Sequence, residues 1–391
     1  MKHIDLLEKI ISIKSYSGEE DNLKDYIASW LKERKIKVIK QDQNLVFCIK
    51  GQDQSKAFIF NSHLDTVSSG SKSAWKTNPF KPLVKNGKII GLGASDMKAG
   101  LAASLLLAEK LAAFGKPPVD VWFTYVIREE EDGAGTKSFS EWFGRKGYLK
   151  KYKDLTGIFT EPTSLKEIEY GHRGNIFFKA VVKGDSGHSS RPQFIKKHAI
   201  REMVKFADLL QENIKIWRKE FADKEFESPT IGEFTSIQAG LKINIATNEI
   251  TEESVNKFPS SCIATFDLRT TPAFHKVAFK KIQALAKKAG VQVSYAFSPS
   301  PAGYTSLDEK IIKSAQKVLG KVKLSVSQGS ADLGFLTMNN IKAIILGPGE
   351  KDQAHKVNEY CYPDQIPQAV DIYEKIINTW AKQMELEFVD K

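Results

Sequence analysis

Histidine and acidic residues stand at or just after the ends of strand-like apolar runs in five parts of this sequence. They are His63 with Asp65 after the apolar run 57–60, Asp96, the acidic triplet 129–131, Glu161 and His355. Imidazole nitrogens and carboxylate oxygens are the ligands that zinc and similar divalent ions take in proteins. Two histidines and several carboxylates therefore predict a site for a pair of divalent metal ions.

The spacing of His63 and Asp65 is typical of a ligand that is held by its neighbour. In an extended strand, side chains alternate between two sides, so these two residues point to the same side. The Asp65 carboxylate can then orient the His63 imidazole through one ring nitrogen and leave the other nitrogen for a metal ion.

Each segment alone also has a purely structural interpretation. Asp96 stands just before an apolar helical pattern, where aspartate is a favoured helix cap. Glu161 fits the solvated end of a strand, and an acidic triplet is usually a solvated face. These interpretations account for single residues but leave the full set, in its order, unexplained.

The elements that must position these residues alternate helical and strand-like patterns over the first 175 residues. Residues 119–127 form a β-branched and aromatic run that predicts a buried strand ending at the acidic triplet. Residues 97–114 predict a long apolar helix, and Ser17 with Glu20 forms a capping-box pattern that predicts the start of another. This alternation predicts an α/β fold with a mixed or parallel sheet, in which sites gather at strand C-termini.

A chain of 391 residues exceeds the usual size of one hydrophobic core, and its pattern changes in the middle. Residues 176–298 follow the order strand, helix, strand, strand, helix, strand, which predicts an inserted α+β domain. Residues 1–175 and 299–391 are then the two parts of the first domain. Within the insert, we expect one strand over 230–238 and one helix over 274–289.

Composition and charge exclude several classes of protein. The formal net charge of +11 is spread over several helices without the aromatic interleaving or motif of a nucleic-acid-binding surface, so we expect no nucleic-acid partner. No stretch reaches the roughly 20 apolar residues of a membrane span, and residues 1–9 predict an amphipathic helix and not a signal peptide. Three widely separated cysteines fit reduced thiols, so we expect a cytoplasmic protein without membrane contact.

The candidate residues belong to longer motifs spread over nearly the whole chain. These motifs are Ser62-His63-Leu64-Asp65-Thr66-Val67, Trp75 with Asn78-Pro79-Phe80, Gly91-x-Gly93-x-x-Asp96-Met97-Lys98-x-Gly100, Glu129-Glu130, Glu161-Pro162-Thr163, Gly187-His188-Ser189-Ser190-Arg191-Pro192, Asp267-Leu268-Arg269, Gly347-Pro348-Gly349 and Ala354-His355-x-x-Asn358-Glu359. In this order they resemble the co-catalytic metallopeptidase and aminoacylase family, which contains succinyl-diaminopimelate desuccinylase, acetylornithine deacetylase and glutamate carboxypeptidase. The resemblance implies a zinc-peptidase-like catalytic domain with a mixed sheet and an inserted α+β lid domain.

The resemblance also implies two divalent ions, Zn²⁺ with Co²⁺ able to replace it. Asp96 would bridge the two ions. His63 and Glu161 would complete one site. Glu130 and His355 would complete the other, although the sequence leaves this pairing open.

In the family, the general base directly precedes a ligand carboxylate. This implies that Glu129 takes a proton from the attacking water and later delivers it to the leaving amine. Because residues 129–131 are all glutamate, a shift of one position would give Glu130 as base and Glu131 as ligand. Family members often carry Gly followed by Thr or Ser at the spacing of the Gly-Thr pair at 135–136, so the resemblance favours the first assignment.

Four residues of the predicted lid domain and its junction match substrate-binding positions of the family. The resemblance implies that His188 reaches the active site of a partner subunit and stabilises the oxyanion there, which requires a homodimer formed through the lid. Arg269 and Asn244 would bind the substrate carboxylate, and Arg173 would add a contact near the domain junction. The link that follows Asn244 is longer than the family pattern has.

We therefore expect a metal-dependent hydrolase of the amide bond in an N-acyl amino acid or a small peptide with a free carboxylate. Succinyl-diaminopimelate desuccinylase is the first choice of activity, because Glu161-Pro162-Thr163 and the lid resemble that branch. Acetylornithine deacetylase and a carboxypeptidase or dipeptidase are the alternatives within the family. A non-catalytic binding protein with the same fold is the rival from another class, and the presence of the base and all five ligands argues against it.

Overall fold

The computed structural model describes residues 2–231, 234–240, 242–244, 249–252 and 255–382, with the backbone alone described for Lys72, 242–244 and 249–252. The chain divides into two compact units. The first unit comprises the described residues up to His172, Gly303–Ser327 and the described residues from Ala331 onward. The second unit comprises the described residues of Arg173–Ala302 together with Gln328–Ser330.

The strands are short at the sheet edges and longest at the sheet centres. In chain order they are β1 (Ile39–Gln41), β2 (Asn44–Ile49), β3 (Asp53–His63), β4 (Leu83–Lys85), β5 (Lys88–Ile90), β6 (Val119–Val126), β7 (Asp154–Phe159), β8 (Glu167–His172), β9 (Gly174–Lys183), β10 (Gly187–His188), β11 (Thr230–Ile231), β12 (Ser236–Ala239), β13 (Lys242–Asn244), β14 (Glu249–Glu252), β15 (Lys257–Phe258), β16 (Ser261–Thr270), β17 (Gln292–Tyr295), β18 (Gly303–Tyr304), β19 (Lys323–Ser327), β20 (Lys342–Ile345) and β21 (Tyr360–Cys361).

The helices lie between these strands. In chain order they are α1 (Lys2–Ser12), α2 (Asp21–Glu33), α3 (Ala99–Ala113), α4 (Ala134–Arg145), α5 (Tyr148–Lys151), α6 (Ala199–Glu220), α7 (Pro272–His275), α8 (Ala278–Lys288), α9 (Lys310–Leu319), α10 (Leu333–Thr337) and α11 (Gln365–Lys382). Among the described helices, none combines the length and the apolar content that crossing a bilayer requires.

A mixed sheet is the centre of the first unit. Its described strands follow the order β1-β2-β6-β3-β7-β20-β8-β18, and β19 also pairs with β8. β3 runs parallel to β6 and β7, and β20 runs parallel to β7, whereas β2 is antiparallel to β6. The predicted α/β fold with a mixed sheet is confirmed.

The central strands of this sheet are buried on both faces. Every residue of β6 is buried, which explains its continuous apolar run. Phe123 and Tyr125 pack into one core with apolar residues of α1, α3 and α11. Trp122, on the opposite face, packs with Phe139 and Phe143 of α4. The sheet is therefore stabilised by an apolar core on each face. The strand ends lie beyond these cores and can carry polar residues.

Parallel pairing brings the C-terminal ends of the central strands to one edge of the sheet. His63 ends β3 opposite Val126, which ends β6. Phe159 ends β7 on the other side of β3. Glu129 and Glu161 follow β6 and β7 in sequence, so they leave the sheet at the edge where His63 lies.

An antiparallel sheet is the centre of the second unit, in the order β11-β16-β9-β17, with β12 also paired to β16. Alternate residues of β9 and β16 pack against α6 and α8. The strand predicted over 230–238 is instead β11 and β12, and the helix predicted over 274–289 is instead α7 and α8. The helix is interrupted after His275, whose ring bonds the Thr270 hydroxyl at 2.8 Å.

The predicted capping box of Ser17 and Glu20 is wrong. α2 begins at Asp21, and Glu20 precedes it without a side-chain cap bond. The Ser17 hydroxyl donates instead to the Asp65 carboxylate at 2.6 Å, and Glu20 accepts the Gly18 N–H at 2.9 Å. A hydrogen bond to a charged carboxylate is stronger than one to a backbone group. The Ser17 hydroxyl therefore bonds Asp65 and does not cap the helix.

The long helix predicted over 97–114 begins later than expected. α3 starts at Ala99, and Lys98 is the residue at its N-cap. The backbone before it is irregular, with φ −113° and ψ 98° at Asp96 and φ −125° and ψ 40° at Met97. Asp96 is therefore not the helix cap that its position suggested, and its side chain is available for another role.

Gly100 allows the first turn of α3 to lie directly against the chain that follows β7. A Cβ atom at Gly100 would come 1.9 Å from the Thr160 carbonyl oxygen. Alanine is favoured over glycine in a helix by about 1 kcal/mol. At this position the clash with the Thr160 backbone outweighs that preference, because backbone atoms cannot move aside as a flexible side chain can. We expect Gly100→Ala to lower the free energy of unfolding by about 1–3 kcal/mol, measured by urea denaturation.

Gly144→Ala in α4 is the matched control for this substitution. Its Cβ would meet only the end of the Leu149 side chain, at 3.3 Å. We expect its stability to equal or slightly exceed that of the parent protein. Equal stability of the two alanine variants would contradict the steric account of Gly100.

Candidate metal centre

Five of the predicted residues come together at the edge of the sheet in two groups of three that share Asp96. The first group is His63, Asp96 and Glu161, and the second is Asp96, Glu130 and His355. Within each group, one nitrogen or oxygen atom of every residue lies within 4.8 Å of the others. The structure thus brings the five residues together, and their binding of metal ions stays a prediction.

The two carboxylate oxygens of Asp96 face different histidines. Oδ1 lies 3.2 Å from His63 Nε2, and Oδ2 lies 3.6 Å from His355 Nε2. His63 Nε2 also lies 3.6 Å from Glu161 Oε1. His355 Nε2 lies 2.8 Å from Glu130 Oε2. A carboxylate placed between two sets of donor atoms has the arrangement that a bridging ligand requires.

Three carboxylates and two imidazoles at close range shift the protonation of one another. Burial raises the pKa of Glu161 to about 8, and burial beside the Asp96 carboxylate raises the pKa of Glu130. Burial acts to lower the pKa of His63, but the Glu161 carboxylate and its neighbours hold that pKa well above its ordinary value. The Glu130 hydrogen bond raises the pKa of His355 to about 9. Protons therefore occupy this cluster near neutral pH, and a divalent ion that binds there would displace them.

Glu130 shows that a cation fits this cluster. Its Oε2 atom bonds His355, whereas its buried Oε1 atom has no hydrogen-bond partner among the described residues. Buried polar atoms are normally satisfied, so an oxygen without a donor points to a further partner. Imidazole nitrogens and carboxylate oxygens are a suitable donor set for a divalent ion. The residues present therefore fit the metal ions that the sequence predicted.

The three side chains of the acidic triplet lie in different surroundings. Glu130 belongs to the second ligand group, whereas Glu131 pairs with Arg128 at 3.0 Å and has a side chain that is 46% exposed. Glu129 is half-buried. Its pKa is raised well above the ordinary value, mainly by burial and secondly by the nearby Asp332 carboxylate. Glu130, and not Glu131, thus belongs to a group that could hold a metal ion, and the assignment of base and ligand stays a prediction.

Asp65 contacts the acidic loop as well as His63. The His63 Nδ1 atom lies 3.0 Å from the Asp65 main-chain carbonyl and 3.5 Å from the carboxylate, so the carbonyl is the nearer partner. The carboxylate accepts the N–H groups of Glu129 and Glu130, each at 3.1 Å. It also accepts the Ser17 hydroxyl. Asp65 therefore fixes one histidine and two glutamates through both its main chain and its side chain.

Asp332 is a residue near this site that the sequence reasoning missed. It is only 2% exposed, its carboxylate bonds the Thr136 hydroxyl, and its Oδ2 atom has no hydrogen-bond partner among the described residues. Burial raises its pKa to about 7. The available signal was an aspartate inside the otherwise apolar run 331–336, a pattern that indicates a buried acid.

The two arginines predicted to bind a substrate carboxylate have partners within the second unit. Arg173 donates from Nε and Nη2 to the Phe226 carbonyl at 3.0 and 2.8 Å, and it pairs with Glu227 at 3.2 Å. Arg269 Nε lies 2.9 Å from Asp267 Oδ1. Both guanidinium groups are thus held in place, and their binding of substrate stays a prediction.

His188 and Asn244 also belong to the second unit. His188 is an exposed residue of β10, and its Nδ1 atom lies 2.7 Å from the Ser190 hydroxyl. Its Nε2 atom lies 3.2 Å from the Asn256 amide nitrogen. Asn244 ends β13, and its side chain lies outside the described part of the structure. The roles predicted for both residues are untested by this geometry.

Comparisons with known proteins agree on one kind of protein. The chain is 28% identical to a succinyl-diaminopimelate desuccinylase of Nautilia profundicola over 97% of this chain and 100% of that protein. Its fold matches an M20 family metallo-carboxypeptidase of Sulfolobus solfataricus, with a TM-score of 0.75 at 19% identity over 97% and 99% of the two chains. It also matches a tripeptidase of Staphylococcus aureus, with a TM-score of 0.72 at 20% identity over 97% and 98%.

The fold likeness confirms the predicted architecture of a mixed-sheet catalytic domain with an inserted α+β domain. The sequence profile of peptidase family M20/M25/M40 matches residues 59–379, which is most of the chain and includes all five candidate ligands. The family implies dependence on a divalent metal, in agreement with the two ligand groups around Asp96. The chain therefore belongs to peptidase family M20/M25/M40 and is a metallohydrolase.

Proposed function

We propose that this protein uses two Zn²⁺ ions, which Co²⁺ can replace, to hydrolyse the amide bond of an N-acyl amino acid or a small peptide with a free carboxylate. The observation that carries the proposal is the position of Asp96, whose two oxygens face His63 and His355 separately. A single ion would need one such group, whereas two groups that share a carboxylate suit a pair of ions.

In this proposal, each ion has its own ligands in addition to the shared Asp96. His63 and Glu161 would hold one ion. Glu130 and His355 would hold the other. When bound, such ions polarise a scissile carbonyl and lower the pKa of a water molecule towards neutrality.

Glu129 is the residue that moves protons in this mechanism. Its backbone is fixed by the Asp65 carboxylate, and its side chain lies next to the ligand Glu130 without belonging to either ligand group. The Glu129 carboxylate takes a proton from the attacking water and then delivers it to the leaving amine nitrogen. Asp65 supports this step by holding the loop in place.

We propose N-succinyl-diaminopimelate as the first substrate to test. The likeness to a desuccinylase over nearly the full length of both chains supports this choice. Arg269 and Arg173 supply cations that suit a substrate carboxylate. N-acetylornithine and short peptides are the alternatives, and the likeness in fold to a carboxypeptidase and a tripeptidase supports the peptides.

A homodimer formed through the second unit completes the proposal. His188 would then donate a hydrogen bond to the oxyanion in the active site of the partner subunit. Its exposed position on β10 leaves the ring accessible to a second subunit. Closure of the second unit over the substrate would accompany the reaction.

A panel of substrates tests the metal dependence and the substrate class together. We expect the chelator-treated protein to be inactive, because its five ligands would hold no ion. Added Zn²⁺ or Co²⁺ should restore hydrolysis, fastest with N-succinyl-diaminopimelate and slower with N-acetylornithine and dipeptides ending in Glu or Gly. Undiminished activity in a protein shown to be metal-free by elemental analysis would refute the proposal. Faster cleavage of the dipeptides would favour the peptidase alternative.

Substitutions in the acidic triplet test the role of Glu129. We expect Glu129→Gln to retain its metal ions and lose about 10²–10⁴-fold in kcat, because the amide cannot accept the proton. Glu131→Gln is the matched control and should retain activity, since Glu131 pairs with Arg128. Steady-state kinetics and elemental analysis of both variants give the answer. If Glu131→Gln loses metal, the assignment of the triplet must shift by one residue.

Mixed dimers test the position of His188. We expect His188→Ala to lower kcat by about 10²–10³-fold, the usual loss for one oxyanion donor, with its metal content unchanged. Mixing this variant with Glu129→Gln should recover part of the activity, because one of the two sites then has both residues. Absence of recovery despite proven subunit exchange would mean that His188 does not serve a partner's site.

A further inference from the structure

The loop that carries Asp96 directs three backbone N–H groups at one point. Its irregular dihedral angles remove these groups from helical hydrogen bonding, and Gly93 has a φ of 77°. The N–H groups of Gly93, Ser95 and Asp96 donate instead to the Glu359 carboxylate, at 2.7, 2.7 and 2.8 Å. Converging backbone N–H groups form a concave binding site for an anion. In this protein, the anion is a side chain of the chain itself.

The Glu359 side chain is enclosed, with an exposure of only 1%. Oε2 accepts from Gly93, and Oε1 accepts from both Ser95 and Asp96. A glutamine could satisfy only one of these two sets, because its amide nitrogen is a donor and would face a donor. The site therefore favours glutamate over glutamine.

Glu359 also belongs to the segment that carries His355. The Glu359 carbonyl accepts the Gly91 N–H at 2.9 Å, and Asn358 Oδ1 accepts the Lys76 N–H at 2.7 Å. The backbone at His355 has a φ of 60°, an uncommon left-handed conformation that needs support from its surroundings. One residue thus links the loop of Asp96 to the segment of His355.

Ser95 forms a second connection between the same two parts of the chain. Its hydroxyl donates to the Tyr360 carbonyl at 2.7 Å and accepts the Glu350 N–H at 2.9 Å. Lys98 holds the other end of the loop, because its buried ammonium donates to the carbonyls of Ile10 and Ile13 at 3.1 and 3.0 Å. The loop is therefore fixed at both ends, with Glu359 at the end nearest to Asp96.

We propose that Glu359 is a positioning residue for the metal centre, which sets the relation between Asp96 and His355 without touching a metal ion itself. The inference rests on the proposed function, because it takes these two residues as ligands. Partners that orient ligands are needed for full metal affinity, and their loss typically costs 10–100-fold. Glu359 orients one ligand through its side chain and the other through its main chain.

The test compares metal binding by Glu359→Gln with that of the parent protein. Calorimetric titration of each metal-free protein with Zn²⁺ gives the number of sites and the dissociation constants. We expect the dissociation constant of at least one site to rise about 10–100-fold in Glu359→Gln, with the circular dichroism spectrum unchanged. Glu359→Ala, which removes all three acceptor contacts, should bind Zn²⁺ more weakly still.

Glu350→Gln is the matched control. The Glu350 side chain bonds Ser164 and Gln365, contacts that an amide can also make, and it belongs to neither ligand group. Its affinity for Zn²⁺ should equal that of the parent. A loss as large as that in Glu359→Gln would show a general effect of charge in this region and would overturn the inference.

Two further outcomes separate this inference from the proposed function. If the parent protein binds Zn²⁺ and folded Glu359→Gln binds it equally well, the inference fails while the proposed function stands. If the parent binds no divalent ion, both fail. Should Glu359→Gln not fold, Glu359→Asp provides the measurement, because it keeps the charge and withdraws the carboxylate by one methylene from the three N–H groups. We expect a several-fold weaker affinity in Glu359→Asp, and an unchanged affinity would overturn the inference.

Discussion

Mutually repelling carboxylates are held together at one edge of the sheet, and the rest of the first unit is arranged around this constraint. Asp96 belongs to one group with Glu161 and to another with Glu130, and the two imidazoles and the raised pKa values of both glutamates offset part of the repulsion. Burial makes the repulsion stronger, because the surrounding protein screens charge less than water does. The apolar cores on both faces of the sheet must therefore supply the stability that the edge itself lacks. A cation bound only by the folded protein would add to that stability.

Two buried carboxylates, Asp65 and Glu359, accept hydrogen bonds from backbone N–H groups in two different loops. Loops that leave strand ends have backbone N–H groups without partners in a helix or a sheet, and such groups must be satisfied when buried. Asp65 accepts two of them in the acidic loop, and Glu359 accepts three in the loop of Asp96. Leaving one buried donor without a partner costs about 1–3 kcal/mol. The carboxylates therefore determine the loop conformations that place the candidate ligands.

Local sequence patterns predicted the features that depend on local physics. The buried strand β6 and the edge at which His63 and Glu161 lie followed from apolar runs and parallel pairing. Features that depend on partners far away in the sequence were not predicted. Ser17 satisfies a helix-capping pattern, but its hydroxyl donates to a carboxylate 48 positions away.

The same reason explains why the irregular start of α3 and the burial of Asp332 were not predicted. The helical pattern that begins at residue 97 contains no sign that Glu359, 263 positions from Asp96, accepts its N–H. The second unit separates His355 from the other four candidate ligands in time as well as in sequence. His63, Asp96 and Glu161 all precede it, whereas His355 follows Glu130 by 225 positions. At ordinary synthesis rates of about 5–20 residues per second, a nascent chain carries His63, Asp96 and Glu161 for roughly 10–40 s before the ribosome has added His355.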